Sequence, residues 1–166
     1  GVPGSSNRNE FLHTLGSSVF LRCVTAVTSN LSVLEISEEP SLKRLGDAAS
    51  GAKPPNINNV TGVSYKSAAT MNNHSDLNRP IYTMSVALGG SCDFTVGKRT
   101  STPHANERSG NPVTIRMASG DAIYFDGGAV PHQVSNINTN IAPSFFTIKN
   151  KPKNIARISV LFREPC

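Results

Sequence analysis

The 166-residue chain has four histidines, and one of them, His74, stands two residues before Asp76 in Asn72-Asn73-His74-Ser75-Asp76. On an extended segment residues i and i+2 project to the same side, so an imidazole and a carboxylate can converge there on one ion. A second imidazole is available from His132, which follows Gly127-Gly128-Ala129-Val130-Pro131 at the opening of a predicted strand. Two His and one carboxylate with open positions form the facial set used for non-haem Fe(II), where the vacant positions admit a cosubstrate and dioxygen. The competing reading is a surface His and Asp in an Asn-rich turn without function. His13, in a predicted helix, and His104, in a long polar loop, read as satisfied or solvated side chains rather than ligands.

Two arginines bear on that choice. Ile158, Val160 and Phe162 alternate with Arg157, Ser159, Leu161 and Arg163, so both arginines share one face of a predicted strand. Six residues apart, they are separated by about 20 Å, too far to grip one small group together. A guanidinium turned into a protein interior is costly unless an anion pairs with it, and its fork matches a carboxylate. An inward arginine therefore implies an anionic guest, whereas outward ones are solvated strand charges.

The elements that must position these residues fall into two parts. Before about residue 55, Phe11, Leu12 and Leu15, and then Leu42, Leu45, Ala48 and Ala49, have helical spacing, with Pro40-Ser41 as a helix entry and Gly51 just beyond its end. Val19 to Val27 and Leu31 to Ile36 are rich in β-branched residues and are expected to be extended. From residue 60 onward, short β-like segments bounded by Gly, Pro, Asn and Asp recur at about 61–70, 81–88, 91–97, 112–117, 122–126, 131–136, 143–149 and 156–163. Thr100 to Asn111 and Asn136 to Ala142 read as loops, and Lys149 to Asn154 as a basic turn. Eight short strands predict a mainly β fold, a jelly-roll core with N-terminal helical support elements.

Composition agrees. Apolar residues make up 37% and charged residues 16%, with 13 Gly and 11 Pro, a profile of a soluble, turn-rich domain rather than a helical bundle. No apolar run is long enough to span a membrane. Sixteen Lys and Arg against eleven Asp and Glu give a net charge of +5, which favours an anionic partner. Cys23, Cys92 and Cys166 are odd in number and widely spaced, which argues against a disulfide framework or a zinc knuckle and for an intracellular, reducing compartment. Cys92 reads as a small buried side chain and Gly127-Gly128 as a tight turn. The chain opens Gly1-Val2-Pro3-Gly4-Ser5 without Met or a signal pattern, as expected of a piece cut from a longer protein.

Taken in order, His74-Ser75-Asp76, Arg79-Pro80-Ile81-Tyr82-Thr83-Met84-Ser85-Val86-Ala87-Leu88-Gly89, Gly120-Asp121-Ala122-Ile123-Tyr124-Phe125, His132 and Arg157-Ile158-Ser159-Val160-Leu161-Phe162-Arg163 resemble the AlkB family of Fe(II)- and 2-oxoglutarate-dependent dioxygenases. The resemblance covers about residues 60 to 164. It implies a double-stranded β-helix, in a single domain over 1–166, with 1–58 as a support or lid region and 59–166 as the catalytic core. It implies that His74, Asp76 and His132 bind iron, that Arg157 pairs with the distal carboxylate of 2-oxoglutarate, and that Tyr65, Ser159 and Arg163 lie at the cosubstrate. The activity implied is oxidative demethylation of N-alkylated bases in single-stranded RNA or DNA, with dioxygen consumed and formaldehyde lost, by a monomer without membrane attachment. Lys98, Arg99, Arg108 and Lys149 to Lys153 are candidate phosphate contacts.

The departures keep alternatives open. Val63 and Ser159 stand where many family members have Asn, and Leu77-Asn78-Arg79-Pro80 lacks the acidic residues that some relatives use to read a methylated base. A hydroxylase of a protein side chain or small molecule shares every metal residue, and a non-catalytic jelly-roll binding module shares the fold.

Overall fold

The computed structural model describes residues 5–28, 40–53, 56–76, 81–147 and 155–165, and the chain divides into two compact units. One holds the residues up to Val60 together with Phe162–Glu164, and the other is built from Thr61–Leu161.

The first unit contains α1 (Ser5–Thr28) and α2 (Pro40–Ala49). Proline suits the start of a helix, where its missing N–H has no partner to lose. Leu45 and Ala48 are buried on one face of α2. Gly51, at φ 74°, donates its N–H to the Ala48 carbonyl at 3.2 Å and ends the helix in a conformation that glycine tolerates.

Helix α1 runs straight through Val19–Val27, which composition predicted to be extended. Strand propensity yields here to burial. Gly16 and Phe20, one turn apart, are both buried, and a Cβ on Gly16 would lie 2.5 Å from the Phe162 ring. Burying one phenylalanine gains about 1.5–3 kcal/mol, against roughly 0.7 kcal/mol or less for a β-branched residue held in a helix. Thr25 also serves the helix, donating its hydroxyl to the Leu21 carbonyl at 3.0 Å. The other stretch expected to be extended, 31–36, lies outside the described residues.

The second unit carries β1 (Asn59–Tyr65), β2 (Met71–His74), β3 (Ile81–Gly89), β4 (Ser91–Val96), β5 (Val113–Met117), β6 (Ala122–Asp126), β7 (His132–Asn138) and β8 (Arg157–Pro165), the first and last of which run on into the helical unit. They form two four-stranded sheets, ordered β1-β8-β3-β6 and β2-β7-β4-β5. The described pairings β3–β6, β2–β7, β4–β5 and β4–β7 are all antiparallel, and the sheets make the predicted jelly roll. Alternation along each strand turns Tyr65, Ala87 and Phe125 of one sheet and Cys92, Phe94, Met117 and Val134 of the other into a shared core. The Phe94 and Phe125 rings meet edge to face at 5.4 Å.

Two strand expectations are corrected. The 61–70 segment breaks at a turn containing Ala68, at φ 60°, and resumes as β2. The strand expected at 143–149 is absent from its described part, where Ser144–Thr147 make a single 3₁₀ turn closed by the Phe146 N–H on the Pro143 carbonyl at 2.9 Å. The reason lies at Gly89, at φ 90°, where a Cβ would sit 2.4 Å from a Phe146 ring carbon. The aromatic residue caps a glycine instead of pairing in a sheet.

Within the helical unit, Glu164 accepts Arg44 Nε at 2.8 Å, Arg44 Nη2 at 2.6 Å and the Asn56 N–H at 2.9 Å. Arg44 Nη1 donates to the Lys53 carbonyl at 2.6 Å, and its guanidinium lies 5.8 Å from the Phe20 ring centre. Both ions are buried, and such a pair is tolerated only when its geometry and remaining hydrogen bonds are this complete.

Candidate metal centre

Antiparallel pairing of β2 with β7 sets His74 directly opposite His132, after an irregularity between Met71 and His74. Their ring centres are 4.4 Å apart. Two residues beyond His74, Asp76 brings Oδ1 to 3.5 Å from His74 Nε2 and 3.7 Å from His132 Nε2. One ligand atom from each of the three lies within 4.8 Å of the others. Cross-strand register thus unites the distant histidine with the His-x-Asp pair.

Both rings are oriented in the same way. His74 Nδ1 lies 2.7 Å from the Asn72 carbonyl, and His132 Nδ1 lies 3.0 Å from the Val130 carbonyl, each two residues earlier in the chain. A carbonyl can only accept, so Nδ1 carries the proton and the Nε2 lone pair points toward Asp76. Phe94 stacks on His132 at 5.9 Å and Phe125 meets it edge-on at 4.8 Å. Side-chain exposure rises from 5% at His132 through 13% at Asp76 to 36% at His74, so the cluster is closed on one side and open on the other. Two imidazole lone pairs and one carboxylate at a common point fit a divalent transition metal with accessible positions, Fe(II) among them.

A residue missing from the sequence reading holds this arrangement. Asp126 Oδ1 accepts the N–H groups of Ile81, Gly128 and Ala129 at 3.0, 3.1 and 3.2 Å, and Oδ2 accepts Arg108 Nη2 at 2.9 Å. It thereby fixes the turn between β6 and His132. The carbonyl of Gly127 in that turn accepts the Asp76 N–H at 2.8 Å, and a Cβ at Gly127 would meet Asp76 Oδ2 at 2.7 Å. The Gly127-Gly128 pair, read as a tight turn, is also the surface against which Asp76 is seated. Asp-Gly-Gly is the available signal, since Asp side chains favour turns by bonding to the following backbone. Arg108, a candidate phosphate contact, is engaged by Asp126. Lys98 and Arg99 are exposed, and 149–153 lie outside the described residues.

The same unit contains a second polar cluster. Arg157 is 1% exposed, donates from Nη1 to the Gly90 carbonyl at 2.8 Å, and has no partner for Nε among the described residues. Gly90 has no room for a side chain, since a Cβ there would lie 2.8 Å from the Asn138 carbonyl oxygen and 3.0 Å from that of Ala156. Buried Tyr65 and Ser159 are hydrogen-bonded to each other. Burial raises the Tyr65 phenol above its ordinary range, opposed by the Ser159 bond and the Arg157 charge. Burial likewise raises the Cys92 thiol and pulls the Arg157 guanidinium down. A buried guanidinium whose Nε has no hydrogen-bond partner among the described residues fits a carboxylate. The fold thus brings Tyr65, Arg157 and Ser159 together. Arg163 groups with the helical unit, where its carbonyl accepts the Asn58 N–H at 3.3 Å.

No family model and no curated protein matches the chain. A solved structure described as that of OsALKBH1, an AlkB homologue, matches 68% of this chain at 20% identity with a TM-score of 0.51. The match covers 52% of that protein, so this chain spans about half its length. A likeness at that identity establishes the AlkB-like fold. No described helix is long and apolar enough to cross a membrane.

Proposed function

We propose that the chain is an Fe(II)- and 2-oxoglutarate-dependent dioxygenase that demethylates N-alkylated bases in single-stranded RNA or DNA. The observation that carries this reading is the joint presence, in one jelly roll, of the His74–Asp76–His132 donor set and a buried arginine whose Nε has no hydrogen-bond partner among the described residues. His74, Asp76 and His132 hold the iron, and Tyr65, Arg157 and Ser159 receive the distal carboxylate of 2-oxoglutarate. Arg163 joins the cosubstrate site on the resemblance alone. When bound, iron and 2-oxoglutarate supply the oxidation of a C–H bond by dioxygen, with the keto acid leaving as succinate and carbon dioxide.

The protein's own contribution is positioning. The Asn72 and Val130 carbonyls keep protons on the Nδ1 atoms, and Phe94 and Phe125 shield His132 from water. Arg157 neutralises a carboxylate in the core, where an unpaired anion is expensive. The more exposed His74 marks the side from which substrate approaches, and the +5 charge favours a polyanion. The fold is proposed as a single domain, with residues 1–58 supporting a catalytic core over 59–166.

The test loads the protein with Fe(II) and 2-oxoglutarate without oxygen, then admits air with single strands bearing 1-methyladenine or 3-methylcytosine. Succinate formed together with loss of the methyl mass, and abolished in His74→Ala, is the expected result. Succinate without mass loss moves the substrate to a protein or small molecule, and no succinate leaves a binding module.

A further inference from the structure

Three segments carry the donor set, and one loop, residues 97–112 between β4 and β5, is bonded to all of them. Next to His132, the Pro131 carbonyl accepts the Gly97 N–H at 2.9 Å. Next to His74, Asn73 Nδ2 donates to the Lys98 and Arg99 carbonyls at 2.8 and 3.2 Å. The third tie reaches the turn that seats Asp76. There the Ala129 carbonyl accepts the Arg108 N–H at 2.7 Å and Asp126 Oδ2 accepts Arg108 Nη2 at 2.9 Å, while Gly127, between those two residues, takes the Asp76 N–H.

A slack loop would leave these ties independent, but this one is braced. The Gly110 N–H donates to the Gly97 carbonyl at 2.8 Å and closes the base. Higher up, the Glu107 carboxylate accepts the Thr100 N–H at 3.1 Å and the Thr100 hydroxyl, and the Glu107 N–H donates to the His104 carbonyl at 3.0 Å. The end that holds Asn73 is thereby joined to the end that holds Ala129 and Asp126. Asn73 occupies the tie where the sheet constrains least. The β2–β7 register is irregular between Met71 and His74, so the ladder does not fix Asn72 and Asn73 by itself. Yet the Asn72 carbonyl is the group that orients the His74 ring, at 2.7 Å from Nδ1. An amide nitrogen carries two hydrogens, and two loop carbonyls face this one, so the Asn73 side chain supplies the constraint that the ladder lacks.

We propose that the β4–β5 loop is a clasp that sets the spacing of the three metal ligands, and that Asn73 is a positioning residue through which it acts on His74. This rests on the reading of His74, Asp76 and His132 as a metal site. The test titrates the full, metal-free chain with Co(II), recording affinity and the visible ligand-field spectrum, and follows urea denaturation of the same proteins without metal.

Asn73→Ala is expected to bind Co(II) about 10–100-fold more weakly, with a displaced absorption band. Unchanged affinity and band, even with easier unfolding in urea, would make Asn73 a folding residue and overturn the proposal. Glu107→Ala is the sharper variant, and it serves equally if Asn73→Ala does not fold. The described bonds of Glu107 all lie within the loop, so purely local supports predict no change in Co(II) binding. The clasp predicts a loss of about threefold, the effect of one modest hydrogen bond. It also predicts that the double variant loses less than the product of the two single losses, because both act through one loop. Unchanged binding in Glu107→Ala, or losses that multiply, makes the ties independent and overturns the clasp. The control is His74→Ala. If the unaltered chain does not bind Co(II), or His74→Ala binds it undiminished, the metal reading falls and the clasp with it; if His74→Ala abolishes binding while the loop variants leave it unchanged, the clasp alone falls.

Discussion

Arg44 and Arg157 are almost equally buried, at 3% and 1% exposure, yet their surroundings are opposite. Arg44 is closed by its own chain: two bonds reach Glu164, a third reaches the Lys53 carbonyl, and an aromatic ring lies nearby. Arg157 has one carbonyl and, among the described residues, no partner for Nε, and burial raises the pKa values of Tyr65 and Cys92 beside it. Burial alone does not separate a structural arginine from one that awaits a ligand. The accounting of its donors does.

The largest expected effect breaks the closed member of this comparison. Glu164→Ala strands the Arg44 charge in the interior and is expected to cost about 3–5 kcal/mol of unfolding free energy. Urea denaturation checks it, and a loss below about 1 kcal/mol would contradict the assignment of Arg44 as fully paired. The open member behaves in the reverse sense. Arg157→Met removes a buried charge that makes no ion pair among the described residues, so the unliganded protein is expected to unfold no more easily than before. With 2-oxoglutarate at about a hundred times its dissociation constant, the unaltered protein gains about 2.7 kcal/mol and the variant gains almost none. Equal stabilisation of both would remove the anion site.

The comparison sharpens further at the supports. Asp126→Asn weakens the turn that seats Asp76 and His132, and a loss of divalent-metal affinity of about 10–100-fold is expected by titration calorimetry. Unchanged affinity would reduce Asp126 to a folding residue. The smallest effect concerns Tyr65. Its folded pKa lies above the unfolded value, so its contribution to stability is complete below about pH 10 and is lost as pH rises through the folded value. Ultraviolet titration of the three tyrosines should show a late-ionising one that vanishes in Tyr65→Phe.

Much of the candidate metal cluster was legible because it depends on short spacing. His74 and Asp76 are two apart on an extended segment, and that alone puts them on one side. His132 was legible as an available imidazole at the opening of a predicted strand, but that it faces His74 is a matter of strand register. Alternation placed Arg157 on one strand face with Arg163 and left inward and outward readings open; its burial and its unused donor were not legible, since both are properties of the assembled core. The errors share a cause. Val19–Val27 was misjudged because local propensity competes with the burial of Phe20, and 143–149 because Phe146 is used to cover Gly89. His104 was read as satisfied or solvated, and the folded loop shows its Nδ1 accepting the Asn106 N–H while Nε2 is buried without a partner among the described residues.

The most direct measurement adds Fe(II) and then 2-oxoglutarate to the protein without oxygen and follows the visible charge-transfer absorption of a keto acid chelated to ferrous iron. The expected result is a band that saturates at one iron per chain, is absent in His132→Ala, and requires far more 2-oxoglutarate in Arg157→Met. A band of equal strength in His132→Ala, or none in the unaltered protein with iron bound, would contradict the assignment of this jelly roll as an iron and 2-oxoglutarate site.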